Sequence, residues 1–83
     1  MRKNNDERRQ VSLEISRNLR KLMFEREVTR KGLSELSGIS RAAIDNYLVG
    51  RVEPGAWSIR QLATALGCTA GYLLGLESGQ CKD

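Results

Sequence analysis

Between Thr29 and Gly50 the sequence TRKGLSELSGISRAAIDNYLVG leaves few ways to fold. It spells two short helices joined by a tight turn. Thr29 can cap the first, which contains Leu33 and Leu36. Gly38 supplies the left-handed residue that ends it, since glycine alone takes positive φ without a Cβ penalty. Ile39 then drops into the core, and Ser40 is a natural N-cap for the second helix. In that helix Ile44, Tyr47 and Leu48 fall at i, i+3 and i+4 and share one face. Gly50 ends it. Two such helices cross steeply and leave the first half of the second one pointing outward.

Leu33, Ser34, Gly38, Ile39, Ser40 and Ile44 have the spacing of the helix-turn-helix of lambdoid phage repressors and Cro proteins, the XRE-like family, which this stretch resembles. Further on, LATALGCTAGYLLG is similar to the fourth and fifth helices of that family. The resemblance spans roughly Ile15 to Gly75 and implies an all-α fold: a compact five-helix, lambda-repressor-like DNA-binding domain around a central helix-turn-helix.

The resemblance also assigns roles. The outer face of the third helix, with Arg41, Ala42, Asp45 and Asn46, is expected to enter the major groove of duplex DNA. Arg41 can reach guanine O6 and N7 bidentately, Asn46 can pair with adenine, and Ala42 can meet a thymine methyl. Asp45 either accepts from cytosine N4 or orients Arg41. Helix starts at Thr29, Ser40 and Ser58 are candidate phosphate sites, joined by Arg30 and by Arg51 just past the third helix. Arg30 and Lys31 occupy the first turn of a helix, where the dipole prefers anions and each cation costs about 0.3–1 kcal/mol. Gly32 adds roughly 1 kcal/mol of helix penalty relative to alanine. A bound phosphate would supply the missing anion; the plainer alternative is two tolerated, solvated cations.

Composition excludes other classes. In 83 residues there is room for one small domain, and the net charge of +4 favours a polyanionic partner. No apolar run approaches the roughly 20 residues of a membrane span. Two cysteines, Cys68 and Cys81, and no histidine make neither a disulfide framework nor the usual four-ligand zinc site, and fit a reducing cytosol. The commonest catalytic base is missing, and so is a glycine-rich phosphate loop. The expectation is no enzyme, no catalytic residue, no metal and no cofactor.

The remaining chain falls into three parts. Residues 1–10, MRKNNDERRQ, are polar and charged and read as a flexible arm or a frayed helix start. Arg2, Lys3, Arg8 and Arg9 suit an arm that embraces DNA or a merely solvated tail, and Asp6 and Glu7 weaken the former. The domain proper occupies residues 11–76. Its first helix runs from about Val11 to Arg26 on the stripe Val11, Ile15, Leu19, Leu22 and Met23, with Glu14, Arg17, Lys21 and Glu25 opposite. Relatives often carry glycine near Glu27, so this turn is expected to differ. Pro54 and Gly55 mark a loop, and Ser58 with Gln61 spells a capping box, with Trp57 and Leu62 spaced as its staple. Helix four carries Ile59, Leu62, Ala63 and Leu66 and stops at Gly67; Thr69 can cap helix five. Residues 77–83 are a polar tail.

The resemblance further implies a homodimer on DNA, with Tyr72, Leu73 and Leu76 as the candidate interface. Many relatives pair an arginine late in helix one with a glutamate near the end of helix three. Met23 and Leu48 stand at those positions here, so an apolar contact is expected in place of the ion pair. The functional expectation is a sequence-specific transcriptional regulator, a repressor by operator occupancy, in the cytoplasm of a bacterium or a phage-infected host. Cro-like repressor, antitoxin-like regulator and restriction-modification controller stay open. The rival of another class is a protein-interaction module, such as an antitoxin whose main partner is a toxin protein.

Overall fold

A computed structural model describes residues 2–77, with side chains from Glu7 onward. Five helices follow one another: α1 (Arg2–Arg26), α2 (Arg30–Ser37), α3 (Arg41–Leu48), α4 (Ala56–Leu66) and α5 (Ala70–Leu73). No strand occurs among the described residues. The tail call and Cys81 lie outside them, apart from Glu77.

α1 begins at Arg2 and not at Val11, where the apolar stripe starts. The added turns are rich in arginine, lysine, glutamate and glutamine, which lose little freedom in a helix. They are also held from outside: Arg8 Nη2 lies 3.0 Å from Glu53 Oε1 in the α3–α4 loop.

The core is one cluster drawn from all five helices and the α2–α3 turn. Leu19, Leu22, Met23, Leu33, Ile39, Ile44, Tyr47, Leu48, Leu62, Ala63, Leu66 and Leu73 belong to it. Met23 and Leu48 are thus both buried in it, as the absence of charge at the two positions implies. Leu36, although in α2, turns outward at 64% exposure.

Four helices end in the same way. After α1, α3, α4 and α5 the first residue beyond the last turn takes positive φ: Glu27, Gly50, Gly67 and Gly75. The amides there bond back to the helix in pairs, as in Glu27 N to Phe24 O and Val28 N to Met23 O. This is the Schellman arrangement. The turn at Glu27 therefore does not depart from the glycine geometry; it adopts the same left-handed conformation, φ 56°, with a side chain present. α2 closes with the simpler single bond, Gly38 N to Ser34 O at 2.9 Å.

A second layer of caps comes from other helices. Ser16 on α1 donates to the carbonyl of Leu48, the last residue of α3. Arg26 Nε donates to Leu66 O at the end of α4, over 2.8 Å. Asn18 Nδ2 donates to Tyr72 O and Leu73 O, at 3.1 and 3.2 Å. Gln61 Nε2 on α4 reaches Ser37 O, the end of α2, at 2.9 Å. Carbonyls that a helix leaves without an internal partner are thereby satisfied across the tertiary structure.

Candidate nucleic-acid interface

The start of α2 is built by Thr29. Its backbone is extended (φ −85°, ψ 167°), and its hydroxyl accepts from Gly32 N at 3.0 Å. Arg30 and Lys31 follow, both exposed, with no acidic residue in that first turn. Ser40 repeats the device at α3, accepting from Ala43 N at 3.2 Å. Both caps are as the sequence predicts; each satisfies one amide of its first turn and leaves others without an intrahelical acceptor.

α3 is anchored by Ile44, Tyr47 and Leu48, all buried. The opposite face presents Arg41, Ala42 and Asp45 as exposed residues, with Asn46 half-buried beside them. Asp45 does not serve Arg41. Its Oδ1 lies 3.3 Å from Arg30 Nε, so the ion pair ties the start of α2 to the middle of the outer face of α3. Spacing within α3 favours an i, i+4 partner for Asp45. The packing of α2 against α3 brings Arg30 into range instead, a contact that no local pattern encodes.

Past α3 the chain turns sharply. Gly50 takes φ 74°, a conformation that favours glycine; a Cβ there would meet only the end of the Leu13 side chain, Cδ2 at 2.8 Å, which can turn aside. Arg51 N then bonds to Asn46 O at 3.0 Å, which fixes exposed Arg51 just past the end of α3. Arg51 and Asn46 are thus brought together through the backbone.

α4 starts three residues earlier than the capping-box reading places it. Gly55 is the N-cap, no side chain bonds there, and Ala56 and Trp57 lie inside the first turn. Ser58 is not a cap. Its Oγ accepts from the Tyr47 hydroxyl at 3.1 Å, because a tyrosine packed into the core needs a partner for its O–H. Gln61 is likewise engaged, on Ser37 O. Trp57 is 57% exposed and makes no staple. Ser58 still contributes one of the α4 amides that lack an intrahelical acceptor, next to the end of α3.

At the far end, Thr69 caps α5 by accepting from Tyr72 N at 3.0 Å. Leu73 is fully buried, so it is withdrawn from any surface; a core residue cannot also be an interface residue of the same folded chain. Tyr72 is half-buried and Leu76 is 79% exposed. Among the described residues no helix is long and apolar enough to cross a membrane.

Two capped helix starts, an outward polar face on α3 and cations around both form a surface suited to a polyanion. A family model for the Cro/C1-type helix-turn-helix DNA-binding domain matches residues 18–78. Comparison with curated proteins and with solved structures gave no match. The match covers most of the chain, from the last third of α1 through α5, and this protein belongs to the family of Cro/C1-type helix-turn-helix DNA-binding domains.

Proposed function

We propose that this protein is a transcriptional regulator that reads duplex DNA with the outer face of α3 and represses by occupying its operator. The observation that carries the reading is the split character of α3. One side, Ile44, Tyr47 and Leu48, is locked in the core, while Arg41, Ala42 and Asp45 stand exposed with Asn46 at their edge. Arg41 and Asn46 are the base readers, Ala42 adds a methyl contact, and Asp45 accepts from a base amino group. Thr29, Arg30, Ser40, Arg51 and the amide of Ser58 hold the backbone phosphates on either side.

The reading includes a homodimer, since one recognition helix covers only a few base pairs and two half-sites a helical turn apart restore specificity. Tyr72 and Leu76 are the residues proposed to meet across it. What supports the choice is the exposure of Leu76, an apolar side chain left 79% open to solvent beside half-buried Tyr72. The setting is the cytoplasm of a bacterium or a phage-infected host.

Selecting sites from a random duplex pool tests this. A two-fold symmetric site bound by two chains is the expected result, with affinity falling steeply with salt at a log–log slope of about −0.9 per phosphate contact. A one-to-one complex on an asymmetric site overturns the dimer. Binding that ignores both sequence and salt overturns the DNA reading and transfers the case to a protein partner such as a toxin.

A further inference from the structure

Arg30 and Asp45 meet at 3.3 Å through Nε and Oδ1, with the two side chains 57% and 52% exposed. An exposed pair of this kind shifts an equilibrium by no more than about fivefold, so its contribution to folding is small. Its geometry is more informative. Arg30 is engaged at Nε, and the guanidinium carries further donors on its two Nη atoms. Asp45 is engaged at Oδ1, and Oδ2 retains its acceptor capacity on the outer face of α3. One residue starts α2 and the other sits midway along α3, so the pair spans the step from one helix to the next.

We infer that Arg30 and Asp45 act as a single reader: Arg30 bridges a backbone phosphate and the Asp45 carboxylate, and Asp45 accepts a hydrogen bond from cytosine N4. This rests on the proposed docking of α3 in the major groove. Electrostatics supplies the reason. A lone carboxylate entering a groove lined by phosphates is repelled, and a cation that touches both the carboxylate and a phosphate removes that penalty. Asp45 then discriminates, because it is tolerated only where a base donates to it. Arg30 is a positioning residue in this arrangement, and its phosphate contact carries sequence information through Asp45. A guanidinium can serve two anions from different nitrogens in one plane, whereas an ammonium cannot hold that fork.

The test uses the whole protein and the site selected from the random pool, with every base at each position scored for binding at fixed salt. Wild type is compared with Arg30→Ala, Arg30→Lys, Asp45→Asn, the double variant Arg30→Ala/Asp45→Asn, and Arg41→Ala as a reference. Arg30→Ala and Asp45→Asn are expected to relax preference at one and the same cytosine, by about 5- to 150-fold. The double variant relaxes it no further than either single change. Arg30→Lys restores affinity for scrambled duplex and leaves the cytosine preference lost. Asp45→Asn binds scrambled duplex more tightly than wild type, since a negative charge has left the face. The inference is overturned if Arg30→Ala weakens all sequences by one factor and leaves every preference intact while Arg41→Ala relaxes its own position. If Arg41→Ala relaxes none either, the groove reading itself falls and takes this one with it. Both side chains are exposed, so matching thermal melts separate these outcomes from misfolding.

Discussion

Arg26, at the end of α1, donates from Nε to the carbonyl oxygen of Leu66, the last residue of α4, across forty positions of sequence. The contact closes one helix with the side chain of another. Ser16 and Asn18 do the same for α3 and α5, so α1 serves as the common cap of three helix ends. The apolar stripe of α1 decides what is buried, and these polar residues decide where the shorter helices stop against it.

Replacing Arg26 with alanine should therefore cost more than an ordinary surface change. A charge-assisted bond to a partly buried carbonyl is lost, worth about 1–3 kcal/mol. Urea unfolding monitored by circular dichroism measures it. A midpoint unchanged from the parent would show that Leu66 O finds water equally well.

Glu27 holds a left-handed conformation that favours glycine. Glu27→Gly should raise stability by about 1 kcal/mol, because removing Cβ relieves a strain of 1–2 kcal/mol at some cost in unfolded-chain entropy. The change should shift the thermal midpoint upward by several degrees for a domain of this size. A downward shift would mean that the left-handed turn is not populated in solution.

Leu48→Glu should destabilise by about 3–5 kcal/mol, since it places an unpaired charge in the cluster that also holds Met23. Adding Met23→Arg to it should recover part of the loss, because the two positions then carry opposite charges. Chemical denaturation of the two single variants and the double variant gives the coupling directly. Additive losses would place the two side chains out of reach of each other.

Arg41 and Arg51 should part company on DNA. Arg41→Ala is expected to cost about 1–3 kcal/mol on the selected site and to relax preference at one base position. Arg51→Ala should weaken binding to all sequences alike and reduce the salt slope by about 1. Fluorescence anisotropy on selected and scrambled duplexes at several salt concentrations separates the two. Equal losses on both duplexes for Arg41→Ala would remove it from base reading.

Local chemistry in the sequence determined the helix-turn-helix almost completely. Thr29, Gly38 and Ser40 act on amides and carbonyls within a few residues of themselves, so their roles as caps and turn can be read from order alone. The buried stripe of α1 follows for the same reason, as periodicity is a one-dimensional property. At Ser58 the same local logic failed. The hydroxyl had a distant claimant in Tyr47, and the buried tyrosine's need for an acceptor outweighed a cap that Gly55 could replace at little cost. Leu73 went the same way, taken into the core when α5 docked on α1. The link between Arg30 and Asp45 belongs wholly to the tertiary structure. Fifteen positions and a turn separate the two residues, and only the angle at which α2 and α3 pack decides whether a cation and a carboxylate meet. Side chains that bond to their own backbone neighbours can be read along the chain, whereas those that bond across helices are assigned by the packing of the core beneath them.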